Sequence, residues 1–321
     1  SAPVHMATGI KIGEVTPTSA IVWTRLTRHP ERNVDGKPFP KNVNKERKSQ
    51  EFENLAAMEG SVPGAAGEVR VGIRPSGGDA PVKFTDWKAV AAEGDFTCHF
   101  PLGDLQSGIA YSVVTQGRSA GSSKPSCSVD GSFRTAPNGE TPAHVRFAVV
   151  TGQDYPRRDD PANGHKIYPQ MQKLDPDFFV HTGDIEYYDK PQPYADNIEL
   201  ARFKWNRLYA LPFQRDFHNR TASYFMKDDH DTLRNDCWPG QRYGDLTWEQ
   251  GLALFPEQVP MGRKTYRTVR WGKDLQVWFV EGRDFRSANK MPDGPEKTIW
   301  GAEQKRWFFE TVRKSDATFR I

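Results

Sequence analysis

The chain has 321 residues, of which 26% are charged and 12% aromatic, and its formal net charge is +3 at pH 7. This is the composition of a globular protein about two domains long, not of a disordered segment, and with no dominant basic block it argues against nucleic acid as the main partner. The longest apolar run, LQVWFV, falls far short of the roughly 18–20 residues of a membrane-spanning helix.

Residues 1–137 read as strands: SAIVWTRL (19–26), GEVRVGIRP (67–75), FTCHFPLGDL (96–105), IAYSVVTQG (109–117) and GSFRTAP (131–137). Short alternating runs punctuated by Gly and Pro predict an all-β sandwich of the fibronectin III or immunoglobulin kind. A polar insertion over 28–66, which includes KNVNKERKSQ (41–50), interrupts it. So long a connection either covers a site or runs over the surface in solvent, and its polarity favours the second. Of the three cysteines, Cys98 and Cys127 share this β region and are the expected partners if one disulfide forms, leaving Cys237 free. No C-x-x-C is present, which excludes a zinc ribbon or a thioredoxin-type site.

A linker at 138–143 precedes a change of period. Strands at VRFAVVTG (145–152), PDFFVHTGD (176–184), TASYFMKDDHD (221–231) and the pair KTYRTVRWGKDLQVWFVEGRD (264–284) alternate with helices at 165–174, 194–211 and 301–315. The last helix is expected to turn Trp307, Phe308 and Val312 inward, and ATFRI (317–321) begins one more strand. Alternation of this kind predicts a layered α/β domain over 144–321.

Three predicted strands end in polar residues: TGQDY (151–155), TGDIEY (182–187) and KDDHD (227–231). In open α/β sheets, ligands bind beyond the carboxyl ends of the strands. Those ends would gather Asp154, Asp184, Tyr187, Asp228, Asp229 and His230. Several carboxylates held together repel one another and lose hydration, so multivalent cations are the natural counterweight. Carboxylate, imidazole and phenolate groups suit hard or borderline ions.

Over nearly its whole length the chain resembles the alkaline phosphatase D (PhoD-like) branch of the metallophosphoesterases. IVWTRL, FAVVTGQDY, DFFVHTGDIEYYD, KDDHDTLRND, RTVRWGKDLQVWFVEGRDFRS and GAEQKRWFFETVRKSDATFRI follow in the family's order. The most specific element is Gly-Asp-x-x-Tyr followed by Asp-Asp-His-Asp. The resemblance implies an α/β/β/α domain that hydrolyses phosphate monoesters or diesters with hydroxide generated on a metal. It implies Asp154, Asp184, Tyr187, Asp229 and Asn235 as ligands, with Asp184 bridging two ions, and His230 over the phosphoryl group. Asp228 would be an extra ligand or a support for one. Arg283 and Arg286 either hold a phosphate oxygen or form structural ion pairs, and His181 packs behind the ligands.

The implied ions are Fe3+ with Ca2+, or Zn2+ and Mn2+. Gly152 stands where the family often has a cysteine thiolate on iron, so the choice of ion stays open. Related enzymes also take late histidines from a C-terminal segment, whereas the last of the eight histidines here is His230. The resemblance therefore predicts a domain incomplete at its C-terminus, with a further segment or second chain supplying ligands. By analogy the protein is exported, to the periplasm or the cell exterior, and a chain beginning at Ser1 fits removal of a signal. No G-x-S-x-G, P-loop or H-E-x-x-H is present, in keeping with chemistry that needs no serine nucleophile. A rival reading is a degenerate phosphoesterase that binds phosphorylated or sulfated glycans without cleaving them.

Overall fold

The computed structural model of the chain describes residues 2–40 and 54–321, so the run KNVNKERKSQ lies outside the described residues. The first eight strands are β1 (Ile10–Gly13), β2 (Ala20–Arg25), β3 (Gly67–Pro75), β4 (Lys83–Phe84), β5 (Lys88–Val90), β6 (Thr97–Leu102), β7 (Ala110–Arg118) and β8 (Cys127–Arg134). The next eight are β9 (Phe147–Val150), β10 (Phe178–His181), β11 (Ala222–Phe225), β12 (Arg242–Tyr243), β13 (Leu246–Thr247), β14 (Arg267–Trp271), β15 (Leu275–Phe279) and β16 (Phe319–Arg320). The result is a mixed α/β fold with several sheets.

The largest sheet runs β6-β2-β1-β11-β10-β9. β9, β10 and β11 are parallel, and β10 is buried along its whole length, as befits a central strand covered on both faces. β1 pairs in parallel with β11, Ile12 opposite Ala222 and Gly13 opposite Ser223. Strand pairing thus crosses the 138–143 connection: the free edge of β11 has N–H and C=O groups to satisfy, and β1 satisfies them. The connection is itself tied down, since Gly272 N–H donates to the Pro137 carbonyl (3.0 Å) and Lys273 N–H to that of Thr141 (2.8 Å).

A second sheet runs β4-β3-β7-β8, with β5 also on β3. Its Val69, Val71 and Val113 join Ile12, Val22 and Phe100 of the first sheet, and Phe178 and Trp271 beyond them, in one apolar core. β14 and β15 form the antiparallel pair predicted around Gly272, and β16 adds to β15 in parallel.

The helices are α1 (Ile167–Lys173), α2 (Ile198–Tyr209), α3 (Pro212–His218), α4 (Trp248–Gln258) and α5 (Gly301–Lys314). α2 starts where the Asn197 side chain accepts from Leu200 N–H, and α4 opens with a reciprocal Thr247/Gln250 capping box. Buried residues occur around nearly all of α2, which carries Lys204 and Arg207 into the interior. Among the described residues no helix is long and apolar enough to cross a membrane.

Two expectations are corrected and two are refined. β8 begins at Cys127 rather than 131, because β7 offers a partner as far as Gly117 and recruits the weakly patterned CSVD. α5 turns Trp307, Phe308 and Val312 inward as expected but only half-buries them, and the deepest residue on that face is Gln304, whose amide bonds both backbone groups of Glu281. Cys98 and Cys127 are free thiols, one on β6 of the first sheet and the other on β8 of the second. The 28–66 insertion runs largely over the surface, most of 28–40 being exposed, but its described ends are anchored at a few buried side chains. Arg32, 6% exposed, donates to Glu59 (2.8 Å) and the Tyr155 hydroxyl (2.9 Å), and Phe39 packs edge-on against Phe203 of α2. The polar character of the segment hid these anchors, since a buried guanidinium is tolerated once its donors are matched.

Candidate metal centre

The loops leaving β9, β10 and β11 emerge side by side. Gly183, just after β10, has φ +112°, and a β-carbon there would lie 2.7 Å from Asp228 Cβ and 2.8 Å from Asp228 N. Only glycine lets the Asp184 loop lie this close to the Asp228 loop. Asp184 itself is held at φ +55°, in the left-handed region, which Asp tolerates better than most side chains. Asp231, fully buried, cross-links the two loops: Asp228 N–H donates to its Oδ1 (2.6 Å) and Ile185 N–H to its Oδ2 (3.0 Å). Asp231→Ala leaves both donors unmatched and is expected to lower stability by about 2–4 kcal/mol, read from the urea midpoint.

Against that scaffold Asp184, Asp229 and His230 each present a ligand atom, all within 4.8 Å of one another. Asp184 Oδ2 accepts from the Tyr187 hydroxyl (3.3 Å), while its Oδ1 is buried with no hydrogen-bond partner among the described residues. Burial pushes the Asp184 carboxyl up; His230 pulls it back, and Asp229 and Asp228 push it up again. Burial and then the Asp184 charge hold the Tyr187 hydroxyl well above its ordinary range. A multivalent cation would reverse both effects. A partnerless buried carboxylate oxygen, a second carboxylate, an imidazole and a phenol therefore fit a hard or borderline metal ion.

The model of the PhoD-like phosphatase family matches residues 147–321, more than half of the chain, and takes in all three of these loops. The chain belongs to that family. The structure of PhoD superposes on it with a TM-score of 0.73 at 17% identity, covering 100% of this chain. A purple acid phosphatase, PPD1 from yellow lupin (Lupinus luteus) seeds, does so with a TM-score of 0.56 at 12% identity over 96% of this chain. At such identities the likeness is one of fold. The chain spans 62% of the length of the PhoD chain and 48% of the lupin enzyme's. No curated protein sequence matches it.

In this PhoD-like chain His230 is held from behind. Its Nδ1 lies 2.6 Å from Asp189 Oδ1, and Asp189 Oδ2 accepts Asn235 N–H (2.8 Å). Burial alone would lower the imidazole; the Asp189 hydrogen bond and charge, with those of Asp229 and Asp184, outweigh it and hold His230 above the usual histidine range. Sequence reasoning gave Asp189 no role, although a carboxylate two residues beyond Tyr187 was the available signal. A carboxylate behind a working imidazole fixes its tautomer and ring plane. Asp189→Asn is expected to lower turnover about 10–100-fold with metal content unchanged, as measured by elemental analysis beside kinetics. Lys204 of α2, also unassigned in advance, donates to the carbonyls of Tyr187, Lys190 (3.2 Å) and Pro193 (3.1 Å), bracing the loop between them.

Asp228 is bound by Arg283, whose Nε lies 2.6 Å from its Oδ1 and whose Nη2 is 3.7 Å from Asp229 Oδ2. Arg283 is thus an ion-pair residue at the site, with Nη1 buried and partnerless. Arg286 is turned to Asn289 (3.2 Å). His181 is fully buried behind the loops; Gly183 N–H donates to its Nδ1 (3.3 Å), and burial pushes it down to about 3, so it stays neutral.

Two expected ligands stand outside the cluster. Asp154 Oδ2 is 3.7 Å from both Lys190 Nζ and Arg157 Nε, because the 3-10 turn at Tyr155–Arg157 carries it towards those cations. Asn235 is exposed; its amide donates to Asp236 (3.2 Å), and its backbone supports Asp189. Gly152 does face the site: at φ +65°, a β-carbon on it would lie 3.3 Å from the Tyr187 hydroxyl.

Proposed function

We propose that this PhoD-like chain hydrolyses phosphate esters using bound multivalent cations. The observation that carries the reading is Asp184, whose buried Oδ1 has no hydrogen-bond partner among the described residues, held with Asp229 and His230 so that their ligand atoms converge. Asp184, Asp229 and Tyr187 would hold the metal, which when bound supplies Lewis acidity and a nucleophile from water near neutral pH. His230, anchored through Nδ1 and held above the usual histidine range, can in its protonated form donate from its other ring nitrogen to a phosphoryl oxygen or to the leaving group. Asp189 keeps that nitrogen aimed, and Arg283 Nη1 is a further donor for a phosphate oxygen. In this reading the strands of the first 137 residues form a β-sandwich scaffold whose sheet supports β11.

Protein purified without chelator is expected to carry metal by elemental analysis and to cleave an aryl phosphate, with chelation abolishing turnover. Metal-free protein with full turnover would overturn the proposal. Rates on bis-aryl and mono-aryl phosphates decide between diester and monoester preference.

The ion pair is proposed as Fe3+ with Ca2+, or as Zn2+ and Mn2+. Gly152→Cys would set a thiol beside the Tyr187 hydroxyl, at a strain of about 1–2 kcal/mol from the positive φ. The iron-loaded variant is expected to gain a thiolate-to-iron absorption band. Its absence would place the iron away from position 152.

A further inference from the structure

A cavity of about 620 Å³ lies between the described ends of the insertion and the turn at Tyr155–Arg157. Three guanidinium groups line it, from Arg32, Arg158 and Arg207, beside the apolar surfaces of Val34, Phe39 and Pro156. Two of the three are fully engaged. Arg32 bonds Glu59 (2.8 Å), the Tyr155 hydroxyl (2.9 Å) and the Pro161 carbonyl (3.1 Å). Arg158 bonds the carbonyls of Tyr155 and Pro161 (2.9 Å each) and reaches the same Glu59 at 3.4 Å.

Arg207 differs. It is 1% exposed, its Nε and Nη2 have no hydrogen-bond partner among the described residues, and its guanidinium lies 4.1 Å from the centre of the Tyr155 ring, which also carries Arg158 at 4.0 Å. Glu186 attracts Arg207 through space without a hydrogen bond to it, and Glu186 Oε1 is itself partnerless. With Glu59 and Glu186 both ionised the cavity keeps a net positive charge. The Tyr155 ring offsets only part of the lost hydration of a buried cation, and an oxyanion would supply the missing acceptors.

We propose that this cavity binds an organic oxyanion, a carboxylate or phosphate on an apolar body, with Arg207 as the charged anchor and Val34, Phe39 and Pro156 as the wall. The volume suits a small organic molecule rather than a bare ion. Two sources share that chemistry. Tyr155 follows Asp154 in the chain, so the acid is either the non-reacting end of a substrate or a separate small molecule.

Calorimetric titration of the full chain with benzoate tests the site. Saturable binding is expected in the parent protein and in Asp184→Asn. Affinity is expected to fall at least about tenfold in Arg207→Met, which keeps the stem and removes the charge. Val34→Trp, at a position 56% exposed, fills the mouth without touching the buried arginine and should have the same effect. Should Arg207→Met fail to fold, as read by thermal unfolding, Val34→Trp decides alone. Inorganic phosphate, lacking an apolar body, is expected to bind at least about tenfold more weakly than benzoate. Unchanged binding in Val34→Trp, loss of binding in Asp184→Asn, or no binding by the parent protein would each overturn the proposal.

A kinetic arm separates the sources, and only this arm rests on the phosphoesterase reading. If benzoate competitively inhibits hydrolysis of 4-carboxyphenyl phosphate but not of phenyl phosphate, the acid belongs to the substrate. If it inhibits neither, the cavity serves a separate small acid. Absence of hydrolysis alongside intact benzoate binding would count against the phosphoesterase reading and leave the anion site standing.

Discussion

Asp184→Asn is expected to strip the centre of its metal and to lower turnover on an aryl phosphate by at least about 100-fold, a ligand mattering more than the residues that only orient one. Asp184 is the residue that ties Tyr187 to the Asp229–His230 pair. Its Oδ1 is buried with no donor among the described residues, and the Tyr187 hydroxyl and His230 offset its charge only in part, which leaves a bound cation as the main stabilising group. The amide keeps the shape, loses the charge and replaces one acceptor with a donor, so it weakens the site without emptying it of volume. Elemental analysis of parent and variant, prepared identically, checks the result. A variant with parental metal content and turnover would remove Asp184 from the site.

The same substitution has a second readout with a definite sign. In the metal-free protein, burial raises the Asp184 carboxyl above its unfolded value. An acid shifted upward on folding disfavours the folded state at neutral pH, and that penalty disappears once the pH falls below the unfolded value of about 4. Metal-free Asp184→Asn is therefore expected to melt higher than the metal-free parent at pH 7, with the difference closing towards about pH 4. Adding metal should reverse the order at neutral pH, because only the parent gains binding energy. Melting curves across pH, with and without metal, provide the check.

His230→Ala is expected to keep its metal and lose about 100- to 10,000-fold in turnover, the usual range for removing a positioned acid or base. His230 lies close enough to Asp184 and Asp229 to be a third ligand, so this variant separates two roles. Its Nδ1 is taken by Asp189, which leaves one nitrogen for either an ion or a phosphoryl oxygen. Loss of metal together with turnover would make His230 a ligand. Retained metal with lost turnover is the outcome expected of a residue that donates to the phosphoryl group.

The site was readable in the sequence where its residues follow strand ends. β9, β10 and β11 are short apolar runs that stop at polar residues, and Asp184, Asp229 and His230 come together as those endings required. Asp154, on the same logic, does not join them: its loop turns at once into a 3-10 turn and its carboxylate meets Lys190 and Arg157. Asp189 and Lys204 went unread because one acts through a histidine 41 residues away and the other through carbonyls on a loop before its own helix. Arg207 looks like an ordinary solvent-facing helix residue until α2 is seen to be buried on nearly every side.

What the sequence by itself determined is local. Alternation marked the longer strands, apolar spacing marked α1, α2 and α5 but not α3 or α4, and the motifs at three strand ends marked the family and the likeness to phosphoesterases. Only the tertiary structure decided that β1 joins β11 across the middle of the chain, that Cys98 and Cys127 lie on different sheets, and that the insertion's ends pack against Tyr155 and Phe203. The physical reason is one of range. Side-chain period and capping are properties of neighbouring residues, whereas an unpaired strand edge or a buried guanidinium is satisfied by whichever distant group the folded chain brings to it.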